Sequence, residues 1–237
     1  TKHSVQILLP GTNGAAPVYY ATKKGAEALA SFFDDDRFLA TNTKHPRADR
    51  LSHWIAINST RLIVEQAVAA QTEVTLDGWF TEWETINKDA APQQQFALHT
   101  QLSDNPPLSC SPDAAFLLTT RGFSKVFYLE QDRGTSSPGQ IAARKTKGYA
   151  AMLSGQRHRK HFPDTNLDQF SILVVTTSTQ RCRAIGQALE NKPNPEAWLF
   201  IDQNQLSIDS FLDGDIVHKT DGETGPLIKP APELESD

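Results

Sequence analysis

Apolar and polar positions change rhythm several times along this chain, and the changes mark out its elements. Over residues 51–70 apolar side chains fall at 54, 55, 57, 62, 63, 67, 68 and 70 with no proline or glycine between them, a broad stripe of helical period. Val74 to Trp83 carries aromatics at 79, 80 and 83 and reads as a strand entering the core. Ile86 to Ser109 holds Pro92, Gln93-Gln94-Gln95 and Pro106-Pro107 and reads as a loop-rich insertion. Two short strands follow, Ala114–Thr119 and Lys125–Glu130, joined by a hairpin-like turn at Arg121-Gly122. Ser137 and Pro138 offer an N-cap and a first-turn proline for a helix running to about Leu153. Phe170 to Thr177 is nearly all β-branched or apolar, as expected of a strand buried on both faces. Gln180–Asn191 then reads as a helix and Ala197–Ile201 as another buried strand. The predicted order, α-β-β-β-α-β-α-β, is that of an α/β domain with a mixed sheet flanked by helices.

The first 33 residues stand apart. Val5–Leu9 and Val18–Tyr20 are short β-prone runs around the turn cluster Gly11-Thr-Asn-Gly14, and Thr22 can cap a helix over Lys23–Phe33. Two strands and one short helix bury too little area to fold alone. The chain also lacks an initiator methionine, its only methionine being Met152, so it reads as a fragment or a processed product. Residues 34–50 are polar and read as a linker, 51–212 as the main domain, and 213–237 as an irregular acidic tail.

Composition narrows the class. With 38% hydrophobic and 22% charged residues, the chain is globular, and no apolar run approaches a membrane span. Two cysteines, Cys110 and Cys182, form neither a disulfide framework nor a metal knuckle, and Cys182 reads as core. A cytoplasmic location is the default. The net charge of −5 excludes a globally basic nucleic-acid binder but not a local basic face. Between Arg133 and Pro163 there is no acidic residue, against seven basic ones: Arg133, Arg144, Lys145, Lys147, Arg157, Arg159 and Lys160. Each charge run can also be a solvated face. His158 and His161 are three apart but have no third ligand in view, and are read as part of a basic surface loop.

The candidate chemistry lies in Ser111-Pro112-Asp113, in Glu130-Gln131-Asp132-Arg133 and in Lys145. Asp113 opens one strand and Glu130 closes its hairpin neighbour, while alternation points Glu130 and Asp132 the same way. Carboxylates converging at a sheet end repel one another, and a hard cation such as Mg²⁺ would relieve this. The alternative is that one is exposed and another caps a turn. Ile141, Lys145, Gly148, Tyr149 and Met152 fall on one helical face, which puts Lys145 on the stripe facing the sheet. There it needs a partner, the carboxylates, unless it snorkels to water.

These residues resemble a known pattern. "PD" followed 17 residues later by "E-x-D", then a helix carrying lysine, is similar to the PD-(D/E)XK nucleases. More narrowly, "PDAAFLL", "FYLEQDRGT", "KTKGY" and "FSILVVTTSTQR" resemble the replication-relaxation family of plasmid and mobile-element proteins. That family pairs a winged helix with a degenerate restriction-endonuclease-like domain. "YYAT-x-x-G-x-x-x-L" (Tyr19 to Leu29) resembles the wing and last helix of the former. The resemblance implies DNA as partner. For an active member it implies Mg²⁺ held by Asp113 and Glu130, with Asp132 as a further ligand, and Lys145 orienting the attacking water. Glu65 and Glu82 are weaker candidates for the metal shell. Arg133, Lys147, Arg157, Arg159 and Lys160 would neutralise backbone phosphate. One departure matters: Asp132 stands where active nucleases usually carry lysine. Either Lys145 substitutes from the helix, or the domain binds DNA without cutting it. A module for protein contacts is the third reading, prompted by the acidic balance; protein partners are not named by the sequence.

Overall fold

A computed structural model describes residues 3–8, 15–40, 48–87, 89–91 and 94–229. The first strands, β1 (His3–Leu8) and β2 (Ala15–Tyr20), form an antiparallel hairpin, and α1 (Lys23–Phe33) follows. Thr22 caps α1 as predicted, its hydroxyl accepting from the Gly25 N–H at 3.0 Å. The turn cluster at Gly11 and Gly14 lies outside the described residues. The segment read as a linker holds a 3-10 helix at Asp36–Ala40 and the first turn of the next helix.

The main body is a seven-stranded mixed sheet with helices on both faces. Helix α2 (Ala48–Ala69) leads into β3 (Val74–Thr81). A small separate hairpin, β4 (Thr100–Asp104) and β5 (Pro107–Cys110), occupies the segment read as loop. Its apolar content is too low and its prolines too frequent for a strand to show in sequence. Then come β6 (Ala114–Thr120), β7 (Phe123–Gln131), α3 (Pro138–Ser154), the single turn α4 (His158–His161), β8 (Ser171–Thr176), α5 (Thr179–Leu189) and β9 (Trp198–Asp202). Two short strands, β10 (Val217–Lys219) and β11 (Thr224–Gly225), extend the sheet into what reads as an irregular tail. Pairing of β10 to β9, and of β11 to β10, supplies their order, and pairing is not a local signal.

The strand order is β11-β10-β9-β8-β7-β6-β3. Strands β7, β8 and β9 are parallel and the outer pairs antiparallel. The β6–β7 hairpin turns on Arg121 (φ 49°) and Gly122 (φ 77°), both left-handed, which suits a two-residue turn between twisted strands. Strand β8 is buried at every position, as its continuous apolar run requires. Helix α3 begins with a capping box between Ser137 and Gln140.

Alternation divides the core in two. On one face Val126, Tyr128, Val174 and Phe200 meet α3 and α5 through Tyr149, Met152, Cys182 and Ile185. On the other, Phe116, Phe127, Leu129 and Leu173 meet Ile57, Val64 and Val68 of α2. A β-bulge between Leu76 and Trp79 adds a residue to β3 and returns Trp79 to the α2 face. There the rings of Trp79, Phe116 and Phe127 stack at 5.0 and 5.3 Å across three adjacent strands. Arg61 lies over one end of the column and Lys125 over the other, at 5.8 and 5.7 Å.

His158 and His161 are not in a surface loop. His158 is fully buried, its Nε2–H donating to the Leu167 carbonyl at 3.0 Å. His161 bridges Tyr128 Oη (2.7 Å) and Thr100 Oγ1 (3.1 Å), and burial pushes its pKa down to about 4. Both rings are structural and neutral near pH 7.

Phe116 is the middle ring of the aromatic column and is fully buried. Phe116→Ala is expected to destabilise the domain by about 3–5 kcal/mol, through lost burial plus the cavity left behind. Urea unfolding should show a lower midpoint at unchanged slope; a loss under about 1 kcal/mol would mean that the column contributes no more than an exposed site.

Candidate functional site

Three adjacent strands deliver acids to one end of the sheet. Glu82 follows β3, Asp113 precedes β6 and Glu130 is the next-to-last residue of β7. Backbone bonds tie them together: Glu82 N–H to the Asp113 carbonyl at 2.9 Å, and Asp113 N–H to the Leu129 carbonyl at 3.1 Å. The first turns of α2 bring Arg50 and His53 to the same end, and the first half of α3 brings Ile141, Arg144 and Lys145. With Arg133, Thr135 and Ser136 these line a cleft of about 540 Å³ at the carboxyl ends of β7 and β8. Open α/β sheets typically bind ligands at that place.

Glu130 and Lys145 meet as the helical spacing predicts. The ammonium lies 2.9 Å from Oε1 and 2.8 Å from Oε2, and Tyr149 donates its hydroxyl to Oε1 at 2.5 Å. Lys145 also donates to the Ser111 carbonyl at 3.4 Å. Burial pushes the Glu130 carboxyl up to about 7; Lys145 opposes the rise and Asp113 adds to it. Burial works against the Lys145 ammonium too, but Glu130 and Asp113 outweigh it, so Lys145 titrates above its ordinary value.

Asp113 faces the same cleft. Its Oδ2 accepts from the Gln131 N–H at 2.7 Å, and its Oδ1 lies 3.5 Å from His53 Nε2. His53 Nε2 is also 3.8 Å from Glu82 Oε1, which accepts from Trp54 Nε1 at 3.2 Å. The hydrogen bond to Asp113 raises the His53 pKa against the effect of burial. Burial, and then Asp113, raise that of Glu82. His53 belongs to the site although no sequence motif singles it out. Its signal was position: it faces the sheet end from the first turns of α2.

Asp132 lines the cleft but is bound elsewhere. Arg181 of α5 clamps it with two N–H groups, one of them 3.0 Å from Oδ1; Thr176 donates at 2.5 Å and the Gly134 N–H at 3.1 Å. Burial would raise its pKa, but these partners hold it below the ordinary value. Glu65 is absent from the cleft lining and accepts from Arg61 at 2.6 Å.

The basic residues separate into two groups. Arg133 lines the cleft, with Arg50 and Arg144. Lys147 is exposed one turn further along α3. Arg157, Arg159 and Lys160 lie beyond the far end of α3, which Lys145 precedes by about 14 Å of helix at 1.5 Å per residue. Thr165 and Asn166, just after α4, bond to Ser124 and Gly122 at the opposite end of β7. Arg159 is further engaged by Asp168 at 2.8 Å and by the Thr165 carbonyl at 3.0 Å. A run that is contiguous in sequence is therefore divided by a helix that crosses the sheet from end to end.

Carboxylates and a helix-borne lysine at the end of a mixed, helix-flanked sheet define an α/β protein consistent with the restriction-endonuclease-like fold. The chain belongs to the replication-relaxation family, matching it over residues 9–165, and this ties it to a replication-related role. No curated protein and no solved structure matches the chain. Among the described residues no helix is long and apolar enough to cross a membrane.

The folded pKa of Glu130, about 7, lies above its ordinary 4.5. The stability linked to its proton is therefore complete below pH 4.5 and lost as pH rises through 7. Wild-type protein should lose more stability than Glu130→Gln between about pH 5 and pH 8, and equal slopes would contradict the burial of this carboxyl. Lys145→Met strands the carboxylate and should cost about 2–3 kcal/mol at pH 8, less at pH 5. This is below the range for fully buried pairs, because the lysine side chain is 34% exposed.

Proposed function

We propose that this protein binds DNA in the replication or maintenance of a plasmid or mobile element, acting in the cytoplasm, and that its nuclease-like domain does not cleave. The observation that carries the reading is the occupancy of the acids. Both oxygens of Glu130 are bound by Lys145, one also by Tyr149, and Asp132 is clamped by Arg181. The ammonium already supplies the positive charge that Glu130 would offer a cation. Glu130 and Asp132 therefore fit Mg²⁺ poorly, whereas Arg50, Arg133 and Arg144 leave the cleft suited to a polyanion.

Arg144 and Lys147, three apart on α3, continue the basic rim outward as a ridge, whereas Arg157 and Lys160 are exposed as a separate group beyond the far helix end. A phosphate backbone following this ridge would be bound through charge, with little dependence on base sequence. The β1–β2 hairpin followed by α1 supports reading residues 1–33 as the wing and last helix of a winged helix, with 51–212 as the nuclease-like domain.

A second reading, Mg²⁺-dependent phosphodiester cleavage, has one observation in its favour. Lys145 reaches Glu130 from the neighbouring helix, as a displaced catalytic lysine would. Incubation of supercoiled plasmid with Mg²⁺ or Mn²⁺ separates the two. Intact plasmid supports the binding reading, and nicking that is lost in Glu130→Gln supports the enzyme.

Gel-shift titration at several salt concentrations tests binding itself. Arg133→Ala with Arg144→Ala should weaken binding and lower the salt slope by about 0.9 per lost phosphate contact. Glu130→Gln frees the Lys145 charge and should leave affinity equal or higher. A wild-type protein with no salt-sensitive affinity for DNA would point instead to a module for protein contacts.

A further inference from the structure

We propose that His53, Glu82 and Asp113 form a binding site for a divalent first-row transition-metal ion. One ligand atom from each of the three lies within 4.8 Å of the other two. The His53 Nε2 separations, 3.5 Å to Asp113 and 3.8 Å to Glu82, are close to a metal's requirement. At metal–ligand distances of 2.0–2.1 Å, atoms of a tetrahedral site stand about 3.3–3.4 Å apart. Side-chain rotations would draw the three donors, which lie within 4.8 Å of one another, to that spacing.

The ligands come from three supports: α2, the end of β3 and the start of β6. Both carboxylates have a second partner. The Gln131 N–H holds the second oxygen of Asp113 at 2.7 Å, leaving Oδ1 toward His53, and Trp54 Nε1–H donates to Oε1 of Glu82 at 3.2 Å, which leaves Oε2 without a partner among these three. The Trp54 and Trp83 rings pack 5.4 Å apart, and neither lines the cleft. A neutral imidazole and two carboxylates carry a charge of −2 and balance a divalent cation. The remaining coordination positions open toward the cleft, beside Arg50 and Arg133.

The donor set selects the metal. An imidazole nitrogen suits Zn²⁺, Co²⁺ or Mn²⁺ and not Mg²⁺, which keeps to oxygen. The site also differs from the Asp113–Glu130 pair, since Glu130 contributes nothing to it. Without an ion the same trio is a cluster of two carboxyl groups around His53, and the experiment distinguishes the two.

The protein, without DNA, is titrated with Co²⁺ and followed by visible absorption and calorimetry. Leaving DNA out keeps the result independent of the DNA-binding reading. The expected result is saturable binding of one ion per chain, with visible bands that Zn²⁺ displaces and Mg²⁺ does not. His53→Ala and Glu82→Gln should each weaken binding at least about tenfold, since losing even a residue that supports a ligand costs 10–100-fold. Glu130→Gln keeps all three ligands and frees only the neighbouring Lys145 charge, so it should weaken binding less than either. Thermal unfolding without metal checks that each variant folds, and the isosteric Glu82→Gln decides if His53→Ala does not. The proposal is overturned by absence of saturable binding up to millimolar Co²⁺, by equal competition from Mg²⁺, by unchanged affinity in His53→Ala and Glu82→Gln, or by a dependence on Glu130 as strong as that on His53.

Discussion

Glu130 is a carboxylate buried at the end of a central strand, and the geometry around it follows from that. A charge in that position needs a partner, and the nearest element able to supply one is the helix that follows the strand. Lys145 and Tyr149, four apart on α3, both turn inward to the same carboxylate. The contact sets the rotation of α3 about its axis. That rotation in turn places Gly148 against β5, where a Cβ would approach the Ser109 carbonyl to 3.2 Å, and leaves Arg144 and Lys147 in solvent. One ion pair thus couples the sheet end, the β4–β5 hairpin and the exposed basic ridge.

The sheet end concentrates opposite charges without pairing all of them. Glu130 is matched by Lys145 and Asp132 by Arg181, so two of the four acids are neutralised within the fold. Glu82 and Asp113 share His53, at 3.8 and 3.5 Å; burial and then Asp113 raise the pKa of Glu82, and the hydrogen bond to Asp113 raises that of His53. Arg50, Arg133 and Arg144 are left at the rim. A cleft with a basic rim and two acids beside an imidazole suits an anionic ligand at its edge and a cation within. The proposals of DNA binding and of a metal site use different residues of the same cleft for this reason.

The two faces of the sheet are held differently. The α2 face is fixed by stacked rings and a polar link, Thr60 Oγ1 to Gln131 Oε1 at 3.0 Å. The α3 face adds polar anchors to its packing: the Glu130 pair, and His161 between Tyr128 and Thr100. Buried polar groups with defined partners specify one register where apolar packing alone tolerates several. The acids of the cleft can therefore be presented in a fixed order along the sheet edge.

Much of this was legible in the sequence. Period and propensity are local, so the helix over 51–70, the β6–β7 hairpin, the capped α3 and the buried β8 and β9 appear in the pattern close to where they fold. Helical spacing alone put Lys145 on the face that meets Glu130, and the motifs around Asp113 and Glu130 carried the family resemblance. Other features needed the assembled sheet. The strands β10 and β11 exist because β9 offers an edge, and β4 and β5 because each pairs with the other. Asp132 shares its alternation with Glu130, yet Arg181, 49 residues away, claims it. His53 meets Asp113 only when the fold brings α2 to the start of β6, 60 residues later in the chain. The basic run from Arg133 to Lys160 is one feature in sequence and two in space, because a 17-residue helix lies between its ends. Local patterns determine which elements form, whereas partners distant in sequence are chosen by packing, and that choice is made only in the tertiary structure.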